Sequence, residues 1–226
     1  MAVVDVVSDL LLGPCVRRIP DSSNSIYLTF DDGPDEKGTP FVLDTLSQHQ
    51  ARATFFVIGD KARTQKCWVR RIVQNGHAIG NHSLDHNYLR YFSNAQRLRS
   101  WICDSEKLLQ DMTGQPTVGF RPPAGIRTPP LARVCRDLDE PIILWSTRYY
   151  DAVRPWTQAA ALKKMQGFSN GDIVLLHDRQ RLKNFGVFQQ TLDWFIERLK
   201  KDGFQLPPLN RNSCLSAMKS RPVDSR

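Results

Sequence analysis

Short apolar runs alternate with longer amphipathic stretches along most of this chain. The run Ile26–Phe30 has the length and continuity of a buried strand. From Thr39 to about Gln48, Phe41, Val42, Leu43 and Leu46 recur at helical spacing and predict a helix. Ala53–Ile58 is an unbroken apolar strand candidate that stops at Gly59. A second helix is expected from about Lys61 to Gln74, closed by Asn75-Gly76, and a short strand over His77–Gly80. A longer helix follows from about Asn94 to Met112, with Leu98, Trp101, Ile102, Leu108 and Leu109 turned inward and Gly114 closing it. Val118–Phe120 predicts a short strand, and Pro129 to about Leu138 a helix, since proline is tolerated in a first turn. Strand Ile142–Trp145, helix Thr157–Gln166, strand Asp172–Leu176 and helix Val187–Lys201 complete the series. From Arg211 the chain turns polar and is expected to be a loose tail.

Strands alternating with helices, without repeats or a linker, are the pattern of βαβ units around a parallel sheet, and their number suits a barrel-like closure. The expected layout is an N-terminal segment over 1–25 packing on the barrel, one α/β domain over 26–209, and a polar, disordered tail over 210–226. The composition, 41% hydrophobic and 24% charged, is that of a globular chain, and no apolar run approaches the roughly 18 residues of a membrane span. Met1–Gly13 is apolar but carries Asp5 and Asp9 and no basic lead, so it does not read as a signal peptide. The expectation is a cytoplasmic protein, or a periplasmic or extracellular one whose leader has been removed. Five scattered cysteines without CxxC spacing read as free thiols. The net charge of +8 favours anionic partners, but the basic residues are spread over many segments and no nucleic-acid reader motif accompanies them. No nucleic-acid partner is expected, and the oligomeric state stays open.

Polar residues of catalytic type follow the ends of several apolar runs, which in barrels of parallel strands is the edge where chemistry gathers. Asp31 and Asp32 come directly before Gly33-Pro34. A solvated turn explains such a pair as well as a site does. In a site, neighbours on an extended chain point in different directions, so one carboxylate can bind a metal while the other handles a proton. His82 and His86 are four residues apart and would share one face of a helical turn. Two histidines and a carboxylate make a common ligand set for catalytic zinc, although a capping or core role is the alternative. His77 reads as structural. Arg121, Asp151 and His177 follow three further runs.

Taken together, Thr29–Pro34, His82–His86, Arg121-Pro122-Pro123, Asp151 and Leu175–His177 resemble the polysaccharide deacetylase family, also known as the NodB-homology or carbohydrate esterase 4 family, over about Ile26 to Leu209. The resemblance implies a distorted (β/α) barrel and a divalent metal, usually zinc with cobalt or another divalent ion as alternatives, held by Asp32, His82 and His86. It assigns Asp31 as general base with Arg121 beside it, and His177 as general acid with Asp151 behind its ring. It places a backbone N–H, that of Ala124, next to Pro123 at the oxyanion, and Leu175 against the acyl methyl group. The implied reaction is hydrolysis of the N-acetyl amide of an N-acetylglucosamine-containing saccharide, of chitooligosaccharide or peptidoglycan type. Another N-acyl or N-formyl sugar, or a non-catalytic carbohydrate-binding protein on the same fold, are the alternatives. Three positions depart from the family pattern: Arg148 stands where an acid is common, and Ala124 and Ala152 stand where aromatics are usual. An opened groove is expected, with Trp156, Tyr149 or Tyr150 as substitutes for the lost rings.

Overall fold

Strand β1, Ile26–Gly33, lies at the centre of a five-stranded sheet, in the computed structural model of the chain, which describes residues 9, 11–20 and 23–219. Its neighbours are β2 (Thr54–Val57) and β5 (Asp172–His177), flanked by β3 (Ala78–Asn81) and β4 (Thr147–Arg148) in the order β3-β2-β1-β5-β4. Every pairing in the sheet is parallel. The apolar run of β1 is continuous because both of its faces are covered. Ile26, Leu28 and Phe30 pack against the surrounding helices, in one cluster with Val42, Leu46, Leu192 and Phe195. Tyr27 packs on the other face with Phe56, Ile143 and Ile173. Thr29 and Asp31 continue that inner face and meet the buried guanidinium of Arg121.

Single-residue bridges extend the sheet into a ring. Asn81 pairs with Phe120, Phe120 with Ile142, and Ile143 with Val16, while Arg18 pairs antiparallel with Asp172 at the foot of β5. The architecture is an α/β, distorted (β/α) barrel whose regular wall is five strands and whose seam is irregular. Val118–Phe120 and Ile142–Trp145, expected as strands, contribute only these bridges. Gly119 shows why: it sits at φ +148°, and a Cβ there would come within 2.7 Å of the Pro141 carbonyl oxygen, so the chain bends where a ladder would need it straight.

Helices α1 (Gly38–Gln48), α4 (Ala95–Thr113), α5 (Pro129–Asp137) and α6 (Gln158–Met165) match their sequence patterns, and α2 (Gly59–Thr64) and α3 (Lys66–Gln74) replace the single helix expected over 61–74. Gln65, at φ −122° and ψ 42°, breaks it. Asn94, Thr128 and Thr157 cap α4, α5 and α6 through their side chains. Helix α7 begins at Leu182, earlier than Val187, with a first residue 76% exposed that leaves no apolar signal.

The tail is a correction. Residues Arg211–Lys219 form helix α8, where a loose end was expected. The Asn210 side chain accepts the backbone N–H groups of Asn212 and Ser213, and Cys214 and Ala217 are buried. Arg211 anchors the helix by donating to the Thr117 and Asp139 carbonyls and to Glu140. Two small buried residues in a nine-residue helix are too weak a pattern to stand out from a polar sequence. Most of the Met1–Gly13 stretch, and the final residues 220–226, lie outside the described residues. None of the five cysteines is in a disulfide, and no described helix is long and apolar enough to cross a membrane.

Candidate active site

Asp31 and Asp32 end β1, and a bulge between them determines how both can serve one cleft. Asp31 pairs with Phe56 and Gly33 with Val57, so Asp32 is the extra residue, at φ 72°. In a regular strand the two side chains would face opposite sides. The bulge re-aims Asp32, and both carboxylates approach the same imidazole, with Asp32 Oδ1 at 3.5 Å and Asp31 Oδ2 at 3.8 Å from His82 Nε2.

His82 and His86 do not share a helical turn. They sit on the loop leaving β3, where Ser83 and His86 take positive φ. The loop is pinned at several points. Ser83 Oγ accepts the His86 backbone N–H, Ser105 Oγ donates to the Ser83 carbonyl, and Trp101 Nε1 donates to Asp85 at 2.6 Å. The two rings meet with centroids 5.0 Å apart, and His86 Nε2 lies 3.2 Å from Asp32 Oδ1. His82 Nδ1 is 2.8 Å from the Arg121 carbonyl. A carbonyl only accepts, so Nδ1 carries a proton, and the Nε2 edge is the one that faces Asp32. One donor atom from each of Asp32, His82 and His86 lies within 4.8 Å of the others. Burial opposes ionisation of Asp32, but hydrogen bonds to both histidines and the His82 and His177 charges outweigh it and hold the carboxyl well below the usual range. A carboxylate and two imidazoles turned by their Nε2 edges to one point are a donor set that suits a divalent ion of the zinc class.

Arg121 is fully buried inside the barrel. Its Nη1 donates to Asp31 Oδ1 and to Thr29 Oγ1, both at 2.7 Å, its Nη2 to the Leu144 carbonyl and its Nε to the Ile143 carbonyl. The guanidinium carbon lies 3.8 Å above the Phe56 ring. Phe56 reaches that position across Gly80, where any Cβ would fall within 2.3 Å of the ring. With Oδ1 of Asp31 occupied, Oδ2 is the oxygen turned to the histidines.

His177 is the register partner of Asp31 on β5. Its Nδ1 donates to Asp151 Oδ1 at 3.0 Å and its backbone N–H to Asp151 Oδ2 at 2.8 Å, while Gln180 Nε2 also donates to Asp151. Burial disfavours the imidazolium, but Asp151, with Asp31 and Asp32 beyond it, raises the His177 pKa to about 9. Leu175 is buried two residues earlier on the same strand. Pro123 and Ala124 form a one-turn helix in which Ala124 is left-handed at φ 55°, and Tyr91 Oη donates to the Pro123 carbonyl. His77 accepts the Ala53 backbone N–H, and burial beside Arg52 pulls its pKa down to about 4, as befits a core residue.

The walls differ from expectation. Trp156, 1% exposed, and Tyr149 stack on each other inside the main core and cannot replace lost groove rings. Tyr150 is exposed, as are Tyr88, Leu89 and Phe92 on the short helix Tyr88–Phe92 beyond β3. Tyr88 packs edge-on against His86, with centroids 5.3 Å apart. Sequence reading missed this wall, because Tyr88-Leu89-Arg90-Tyr91-Phe92 is too short a run to show a helical period. It also missed Gln180 and Lys61, which donates to the Asp32 carbonyl. A cleft of about 310 Å³ opens at Asp32, His86, Lys61 and Arg179.

The polysaccharide deacetylase family matches residues 18–141. A peptidoglycan-N-acetylglucosamine deacetylase of Bacillus cereus is 33% identical over 83% of this chain and 87% of its own length. A chitooligosaccharide deacetylase of Azorhizobium caulinodans is 34% identical over 85% of this chain and 96% of its own. A family 4 acetyl xylan esterase from Clostridium thermocellum, solved in complex with a cobalt ion, superimposes with a TM-score of 0.73 at 31% identity, covering 88% of this chain and 93% of that one. On that family match and those relatives, this chain belongs to the polysaccharide deacetylase family.

Proposed function

We propose that this protein is a metal-dependent hydrolase that removes the N-acetyl group from N-acetylglucosamine in an oligo- or polysaccharide, releasing acetate. The observation that carries the reading is the convergence of the Asp32, His82 and His86 donor atoms between two independently held groups, Asp31 on Arg121 and His177 on Asp151. The names of the relatives, acting on peptidoglycan and chitooligosaccharide, supply the sugar.

Asp32, His82 and His86 would hold the ion, zinc by preference. When bound, such an ion polarises the acyl carbonyl and makes a neighbouring water more acidic. Asp31 Oδ2 takes a proton from the attacking water as its oxygen bonds to the carbonyl carbon, and Arg121 fixes the carboxylate through Oδ1. The backbone N–H of Ala124, presented by the turn after Pro123, donates to the developing oxyanion. Leu175 receives the acyl methyl group. As the C–N bond breaks with its electron pair on nitrogen, His177 Nε2 delivers the proton that makes the amine a leaving group. Asp151 holds the ring by Nδ1, so Nε2 is the edge turned to the cleft.

Mass spectrometry of products from chitooligosaccharides and peptidoglycan glycan fragments, with metal removed by chelator and restored, tests this. Acetate release that stops on chelation and returns with zinc is expected. Release only from O-acetylated xylan would overturn the amide assignment, and no release from any glycan with metal bound would overturn the enzyme.

A further inference from the structure

Beside His177 the rim is cationic. Arg148 ends β4, register-paired with Leu175 two residues before His177, and Tyr150 directly precedes Asp151. Strand spacing and rise put the Arg148 and His177 Cα atoms within about 10 Å. Tyr150 is 39% exposed and held at φ 59°, an uncommon conformation for an aromatic residue. The Arg148 guanidinium carbon lies 4.3 Å from its ring centroid and that of Arg154 5.0 Å. Lys164 adds a third cation by donating to the Arg148 carbonyl. Arginines elsewhere on the surface, such as Arg71, Arg90 and Arg198, are paired with carboxylates. Among the described residues neither Arg148 nor Arg154 forms an ion pair, and both are exposed. Two like charges share one ring without a counter-ion. Both guanidinium carbons lie over the Tyr150 ring, and neither group is engaged by a carboxylate among the described residues, so their N–H donors are open to a planar, bidentate acceptor.

We infer that Arg148 and Arg154, braced on Tyr150, form a subsite for a sugar carboxylate, and that it selects glycans in which an acidic sugar adjoins the N-acetylglucosamine being deacetylated. The inference rests on the deacetylase reading above and narrows it. A glycan with a lactyl-ether carboxylate, as in peptidoglycan, fits the rim, and a neutral chitooligosaccharide leaves its charges unanswered.

The test uses the zinc-loaded protein and three tetrasaccharides: alternating N-acetylglucosamine and N-acetylmuramic acid, the carboxyl methyl ester of the same glycan, and chitotetraose. The acid is expected to exceed its ester about tenfold in kcat/KM at low ionic strength, with the gap narrowing as salt screens it. In the Arg148→Gln/Arg154→Gln double variant the acid should lose that advantage through KM, while the ester moves no more than about twofold. Equal handling of acid and ester by the wild type overturns the subsite, and so does a parallel loss on all three glycans. If none is turned over, the deacetylase reading fails separately. Equilibrium binding of acid against ester to the wild type and the variant then decides the rim: tighter acid binding lost in the variant supports it, and equal binding refutes it.

Discussion

Arg121 and Arg148 both lie 5.8 Å from the Trp145 ring centroid, under opposite conditions. Arg121 is 0% exposed and satisfied by a carboxylate, a hydroxyl, two carbonyls and a ring face. Arg148 is exposed, rests on Trp145 and Tyr150, and has no carboxylate partner among the described residues. The first belongs to a floor whose groups are fixed before any substrate arrives, which is what transition-state stabilisation requires. The second belongs to a rim whose hydrogen-bonding capacity remains to be used, which is what recognition requires. If both proposals hold, chemistry and selectivity are carried by different layers of the molecule, and altering one should leave the other largely intact.

The sharpest way to break that division is Arg121→Ala. It leaves the Asp31 carboxylate buried beside an empty space, and a loss of about 3–5 kcal/mol in unfolding free energy is expected from denaturant titration, together with all turnover. Asp31→Asn keeps the shape of the floor. Its kcat should fall by about 10²–10⁴ while elemental analysis finds zinc unchanged, and near-normal activity would remove Asp31 from the base role. A finer effect is expected from Asp151→Asn. The folded pKa of His177, about 9, lies above the unfolded value near 6.5, so its contribution to stability is complete below about pH 6.5 and lost as pH rises through 9. The acid form persists over the same range, so activity should fall on a limb near pH 9, and the variant should move that limb toward 6.5 in a kcat–pH profile. Smallest should be Tyr88→Ala at the rim: KM up several-fold, kcat held, and an unchanged melting temperature, since this ring is 48% exposed. A fall in melting temperature comparable to that of Arg121→Ala would erase the distinction between floor and rim.

The legibility of the sequence follows the same division. Asp31, Asp32 and His177 lie at the ends of β1 and β5, and His82 and Arg121 directly follow β3 and the bridged Phe120; such apolar runs are readable from hydrophobic pattern alone. The regular helices α1, α4, α5 and α6 are readable for the same reason. What escaped depends on tertiary geometry. The turn that brings His82 to His86 uses positive φ at Ser83 rather than helical spacing. The seam at Phe120 is one bridged residue wide, and α8 depends on a single asparagine cap. Trp156 illustrates the opposite error: an aromatic near the site in sequence was taken for a groove ring, but Phe188 and Phe195 enclose it in the core.

The bulge at Asp32 also bears on how such a site can arise. Parallel pairing resumes at Gly33 as though one residue had been inserted into an ordinary barrel strand. Deleting that residue would leave a regular β1 with Asp31 still held by Arg121, and two of the three metal donors in place. In the proposed reading, the carboxylate donor to the ion therefore depends on one extra residue in an otherwise regular barrel strand.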